Sequence, residues 1–390
     1  MLEVDVAIVG AGAAGLMCAI AAGRRGRRVV VIDHNAQAGA KILISGGGRC
    51  NFTNIHCAPD RFISANPHFA KSALARYTPK DFLALVEKYR IAWHEKTLGQ
   101  LFCDSSARAI VGMLLAECAD AGVIVRANTP IQGVTHNGTF RVETPTGTLA
   151  ATSVVLATGG LSIPKMGATG LAHTIARRFG LRITETRPGL VPLTLGGADL
   201  ARAESLTGVS QEITARIGKH AFREAMLFTH RGLSGPAILQ ISSYWREGQS
   251  ITLDLLPDQG VDFLLTHKRD RPRTSIRTIL SDVMPQRLAD AFLPQALAQH
   301  TMADTPDRAL RALAESLKAW TITPTGTEGY AKAEVTLGGV DTADLSSRTL
   351  EAKTVPGLFV IGEAVDVTGW LGGYNFQWAW ASGWCAGEAV

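Results

Sequence analysis

Three glycines, Gly10, Gly12 and Gly15, constrain this chain more than any other feature. Before them, Val4–Val9 is a short apolar run rich in branched residues, which reads as a buried parallel strand. After them, Ala13–Arg25 reads as a helix of small and apolar residues, and Arg28–Ile32 as a second buried strand closed by Asp33. Each part has a mechanical role. Gly10 permits the strand-to-helix turn, Gly12 lets a pyrophosphate approach the backbone, and Gly15 lets helix and strand pack closely. The free N–H groups of the first helical turn, including Ala13 and Ala14, then face the phosphates at the positive end of the helix dipole. Asp33 is placed to accept hydrogen bonds from ribose hydroxyls, with His34 beside it. The unit predicts a dinucleotide site.

The rest of the chain bounds the setting. At 390 residues it is long enough for two or three domains. Its 40 glycines fall mostly in discrete clusters, which points to repeated close backbone approaches rather than to a flexible linker. The net charge of +5 is modest and stems largely from Arg24–Arg28 and His267–Arg273, both read as helix ends, so no nucleic-acid partner is expected. Six cysteines without a CxxC pair or metal spacing fit a reduced, cytoplasmic protein with no metal site. The apolar stretch 4–23 contains the glycine fingerprint and follows acidic Glu3, so neither a targeting segment nor a membrane span is read there.

In chain order, Gly39–Asn54 (GAKILISGGGRCNFTN) reads as an irregular loop rich in exposed N–H groups. A helix opens at Thr78-Pro79 and runs to about Arg90; another, capped by Ser105 or Ser106, spans Ala107–Ala121 and stops at Gly122. Val123–Arg126 is a strand, and Ile131–Thr135 with Thr139–Thr144 form a hairpin across Asn137-Gly138. Val154–Ala157 is a buried strand running into Thr158, Gly159 and Gly160. From Gly189 to Leu256 the pattern is of alternating strands, with a hairpin through Gly218-Lys219; 261–320 is helical and charged, and Thr321–Val335 returns to strand. Gly357–Gly362 is again a buried strand, and a Gly-Gly turn opens an aromatic helix in the final segment.

The motifs GAGAAG, ISGGGRCNFTN, ATGGLSIPKMGATG, LFTHRGLSGPAILQIS, AEVTLGGV and GEAVDVTGWLGGYNFQWAW together resemble a bacterial flavoprotein family. Its members have been described as aminoacetone oxidase and as a bile-acid dehydro-intermediate reductase. The resemblance implies an α/β fold. A Rossmann-like FAD-binding domain (1–188 and 336–390) would be interrupted by a β-barrel-like insertion (189–260 and 321–335) carrying a helical subdomain (261–320). By position it places Gly10, Gly12, Ala14 and Gly15 on the FAD pyrophosphate and Asp33, where the family usually has Glu, on the adenosine ribose. Lys41, Ser45, Gly46, Gly47, Gly48 and Arg49 would line the pyrophosphate, ribityl and flavin side, with Asn51 also binding the cofactor. Thr158, Gly159, Gly160, Gly362 and Glu363 would approach the dinucleotide. Gly372, Gly373, Tyr374, Asn375 and Phe376 would set a helix N-terminus against the flavin pyrimidine, where the dipole stabilises negative charge on the reduced ring. No histidine supports covalent attachment, so FAD is expected to be noncovalent.

The chemistry expected is hydride transfer between flavin N5 and a small organic substrate. His230 and Arg231, at a glycine-rich turn of the insertion, are the candidates for protonating and holding it, with Tyr374 as a further candidate. Cys50 has no partner cysteine at redox spacing, so it is read as structural. One dinucleotide fingerprint is present; NAD(P)H, as transient electron donor, would dock without its own Rossmann unit. An NAD(P)H-linked reductase is the first expectation, as monomer or homodimer. An amine or aminoketone oxidase, or a non-catalytic flavin-containing binding or RNA-modification accessory protein, is the alternative.

Overall fold

The computed structural model describes residues 2–390. They form two compact units, one running to Arg187 and resuming at Val335, the other Pro188–Glu334. The first unit is built on a seven-stranded sheet. Strands β1 (Leu2–Val9), β2 (Val29–Ile32) and β3 (Ile124–Arg126) lie side by side and parallel, and β1 also pairs in parallel with β6 (Gly147–Leu156). Beyond β6 the hairpin β4 (Gly133–His136) and β5 (Phe140–Thr144) continues antiparallel, while β7 (Leu358–Val360) pairs parallel with the second half of β6. Val9 is level with Ile32 and Leu156, and Leu156 with Val360, so the carboxyl ends of four parallel strands share one edge. Ligands of open α/β sheets bind at such an edge.

Helix α1 (Ala13–Arg24) is buried from Ala14 to Gly23, as expected of a helix apolar all round. It lies against α3 (Tyr374–Gly387) through glycines. A Cβ on Gly383 would stand 2.3 Å from the Ala14 carbonyl oxygen, and one on Gly387 would stand 2.6 Å from that of Cys18. Helix α2 (Ala107–Asp120) starts at Ser106, whose hydroxyl accepts the Arg108 N–H, and the helix starting at Pro79 is closed by a Thr78/Asp81 capping box.

Three expectations need correction. Residues 39–54 are not one irregular loop: Ala40–Ile44 is a turn of helix, Ser45–Gly48 a tight 3₁₀-type turn, and Asn51–Asn54 a strand pairing with Gln100–Cys103. Apart from Gly39, which opens the segment, glycine is confined to its middle, and AKILI before that run and NFTN after it hold ordinary conformations. Strand β6 begins at Gly147 rather than Val154: β1 runs parallel along it from Leu149 to Leu156, while its other edge pairs first with the hairpin and then with β7. The stretch 321–335 forms only two short strands, Trp320–Ile322 and Gly326–Thr327, before Val335.

The second unit carries an antiparallel sheet in the order Trp320–Ile322, Ile251–Asp254, Ser210–Ile217, His220–Thr229, Gly232–Ser234, Leu193–Thr194, Gly326–Thr327. Its two outer strands are joined by residues 323–325 alone, so the sheet curls back towards itself. The helices Phe263–Asp270, Ile276–Ser281, Gln286–Phe292 and Asp307–Lys318 are inserted between two neighbouring strands of this sheet. No described helix is long and apolar enough to cross a membrane, and the described residues contain no group of metal-ligating side chains.

Candidate functional site

The β1–α1 turn separates protein-imposed glycines from one that the protein does not require. At Gly10 (φ +112°) a Cβ would lie 2.4 Å from the Ala157 carbonyl oxygen, and at Gly15 only 1.9 Å from that of Gly10. Both glycines are demanded by packing. Gly12, at the N-cap of α1, has extended backbone and nothing within 4 Å of its Cβ position. Nothing in the chain itself explains a glycine there, and open space at a helix N-terminus is what a pyrophosphate needs. Asp33 closes the other side. Its carboxylate accepts the N–H groups of Ala11 (2.7 Å) and Asn35 (2.8 Å), one on each oxygen, which fixes its aim and leaves lone pairs for ribose hydroxyls. His34 stands 3.6 Å from Asp33 and packs on Gly167, where a Cβ would meet its ring at 2.5 Å.

A partly buried polar network lies at the same sheet edge. Lys41 donates to Glu363 and to Ser162, both at 2.6 Å; Ser162 donates to the other Glu363 oxygen at 2.9 Å, and the Thr336 N–H donates to that oxygen too. The Thr336 hydroxyl accepts the N–H groups of Leu161 and Ser162, which anchors the loop after Thr158-Gly159-Gly160. Gly160 has to be glycine, since a Cβ would sit 2.3 Å from Thr336 Oγ1 and 2.8 Å from Glu363 Oε1. Burial alone would push the Glu363 carboxyl up; the Lys41 ammonium and the donors around it outweigh that and hold it below its usual range. Ser162 and Thr336 are the members that the sequence did not single out. Their only signal was membership of ATGGLS and AEVTLGG. Thr158 caps the helix Leu171–Arg178 by accepting the Ala172 N–H.

The third wall is the start of α3. Gly372 and Gly373 take φ +109° and +93°, and a Cβ on Gly373 would collide with the Thr53 carbonyl at 2.4 Å. Gly46, Gly47 and Gly48 also have positive φ, and Gly47 faces open space. Asn375 uses its amide on the chain itself, accepting from Gly369 N–H and donating to Gly369 and Trp370 carbonyls. Tyr374 is buried, edge-on to Phe62 and Trp370, and Phe376 stacks on Trp380. Trp378 and Trp380 are core residues whose indole N–H groups donate to Gly362 and Phe52 carbonyls. Gln377 ties Thr53 to the Tyr77 carbonyl. Arg49 is exposed, and the Asn51 amide meets that of Gln100 at 2.9 Å.

All six cysteines are free. Cys50 is fully buried, and burial pushes its thiol up to about 12 despite a hydrogen bond with Ser45, so it is a poor thiolate. In the second unit, His230 and Arg231 are exposed on the turn between two strands, and Arg231 approaches Glu328 at 3.4 Å.

A family model described as HI0933-like protein Rossmann domain matches residues 4–389. The chain belongs to the HI0933-like family. It is 50% identical to a ribosomal RNA dihydrouridine synthase of Escherichia coli, covering 100% of this chain and 99% of that protein. It is 27% identical to a 3-dehydro-bile acid delta(4,6)-reductase of Clostridium scindens, covering 99% and 98%. Among solved structures, a 3-ketosteroid-delta4-(5alpha)-dehydrogenase from Rhodococcus jostii shares the fold at a TM-score of 0.52 and 14% identity, over 99% of this chain and 97% of that one. As an HI0933-like protein the chain is a flavoprotein oxidoreductase with a Rossmann-type FAD-binding unit. The open Gly12 position, the braced Asp33 and the glycine-lined α3 start fit that cofactor.

Proposed function

We propose that the protein reduces a uridine of ribosomal RNA to dihydrouridine, with NAD(P)H as the source of electrons. The observation that carries this reading is the 50% identity, end to end, with the Escherichia coli ribosomal RNA dihydrouridine synthase. The more distant relative is named as a reductase of a delta(4,6) 3-dehydro compound, so its substrate also has C=C bonds conjugated to a carbonyl. Uracil offers the same motif in C4=O and C5=C6. Reduction adds hydride at C6, the carbon β to the carbonyl, and a proton at C5, while NAD(P)H is oxidised to NAD(P)+. The substrate is then a base within an RNA rather than a free small molecule.

Bound FAD supplies the two-electron chemistry. The chain's own part is to hold and orient. Gly12 and the first N–H groups of α1 receive the pyrophosphate, Asp33 the ribose, and the α3 N-terminus the developing negative charge of the reduced ring. Lys41 and Glu363 fix the loop carrying Gly159 and Gly160. His230 is the candidate proton donor to C5, and Arg231 the candidate ligand of a uracil carbonyl.

The test is a reconstitution. Ribosomal RNA from a strain lacking the gene is incubated anaerobically with the yellow, FAD-loaded protein and NADH or NADPH, and dihydrouridine is measured by mass spectrometry. Dihydrouridine at one position, with bleaching of the flavin by one nucleotide, is expected. Bleaching without dihydrouridine would refute the substrate, and failure of either nucleotide to bleach the flavin would refute the donor. Full turnover in His230→Ala would remove His230 from the mechanism.

A further inference from the structure

Leu98 is 61% exposed and Ile55, beside it, 46% exposed. The two are neighbours because the Ile55 N–H donates to the Gly99 carbonyl at 2.9 Å. Leu98 also adopts φ +54°, a conformation that a bulky L-residue occupies at a cost and that clusters at functional positions. A buried amide holds it there: Asn54 Nδ2 donates to the Leu98 carbonyl at 3.1 Å and to the Gly372 carbonyl at 2.9 Å. The turn 96–99, with its exposed Leu98, is thereby tied to the glycine pair that starts α3. The Gln100 side chain packs on Gly372 as well.

Lys96 and Arg49 place positive charge beside the turn, and Glu95 and Asp104 negative charge. Lys96 is exposed and sits 5.4 Å over the Phe102 ring; Arg49 and His56 are exposed on the adjoining segments, Arg49 passing its carbonyl to the Cys103 N–H. Of the acids nearby, Asp104 is engaged by His94 at 2.6 Å, and Glu95 is exposed.

Resting on the ribosomal-RNA reading above, we propose that the 96–99 turn contacts the RNA, Leu98 filling the base stack as the target uridine leaves it. A base stacked in folded RNA cannot reach a flavin without extrusion, and extrusion is assisted by apolar wedges flanked by cations on the phosphates. A freely diffusing substrate would need no exposed, strained leucine beside the cofactor helix.

The test uses the FAD-loaded, full-length protein and two RNAs carrying the mapped uridine, one as a folded ribosomal fragment and one as a short unstructured strand. Leu98→Gly suits the positive φ and removes only the side chain, so it keeps fold and flavin, checked by thermal melting and absorbance. The expected result is a fall of tenfold or more in the ratio of kcat/KM on folded over unstructured RNA. Leu98→Met retains the ratio, and Leu115→Ala, another partly exposed apolar residue, leaves it unchanged. A 2-aminopurine placed next to the uridine brightens on binding wild type and not Leu98→Gly. An unchanged ratio and fluorescence in Leu98→Gly would overturn the wedge while leaving the reductase standing. If wild type forms no dihydrouridine in either RNA, the reductase reading fails and the wedge with it.

Discussion

Glycine is used differently in the cofactor cradle and at four positions of the second unit. Around the cofactor cradle, Gly10, Gly15, Gly160 and Gly373 each have an atom of another residue within 2.5 Å of their Cβ position. In the second unit Gly197, Gly208, Gly218 and Gly248 have nothing within 4 Å. The first set is dictated by contact and the second only by turn conformation. The cradle is therefore geometrically defined, whereas at those four positions a side chain would meet only the strain of a positive φ; Gly232 of the second unit, whose Cβ would lie 2.3 Å from the Leu193 carbonyl oxygen, is constrained as the cradle is. Gly12 and Gly47 join the two patterns, since they sit in the cradle yet have nothing within 4 Å of their Cβ positions.

Substitutions break that contrast in order of effect. Gly15→Ala drives a methyl into the Gly10 carbonyl and should destabilise the first unit by about 4 kcal/mol or more, read as loss of soluble yellow protein. Gly12→Ala should leave the melting temperature of the flavin-free protein within a degree or two while weakening FAD about a hundredfold, measured by fluorescence titration. A large loss of apo stability would show that packing, not the ligand, requires Gly12. Glu363→Gln leaves Lys41 beside a neutral amide. It should destabilise by about 1–3 kcal/mol and raise the FAD dissociation constant, with Ser162→Ala giving a smaller change in the same direction.

Acid sharpens the comparison further. His173 is buried, and burial lowers its pKa despite a 3.2 Å contact with the Ala364 carbonyl. Protons bind the unfolded chain first, so stability is full above about pH 6.5, the ordinary histidine value, and falls as pH drops towards the lower folded value. Melting curves from pH 7.5 to 5.5 should show that loss, and His173→Gln should flatten it. The smallest effect is in the second unit. Arg231 is 56% exposed, so Glu328→Gln should shift stability by less than about 1 kcal/mol.

These differences also decide what could be read beforehand. The strand, turn, helix and second strand of residues 4–33 were legible because every signal in them is local. The corners at Gly122 and Asn137-Gly138 were legible for the same reason. The Lys41–Glu363 pair was not, because 322 positions separate its partners and neither flanking motif encodes the other. Ser162 and Thr336 were missed likewise. The double duty of β6 escaped because a strand that changes partners midway shows no break in its apolar pattern.

The contact of α1 with α3 has a consequence for the order in which this protein takes shape. The first helix reaches its final neighbour only when residues 374–387 exist, whereas Pro188–Glu334 is one uninterrupted stretch of chain. During synthesis the inserted unit can therefore mature while the opening βαβ segment still waits. The cradle for the flavin closes after it, so a segment that precedes the inserted unit in the chain becomes native later than that unit.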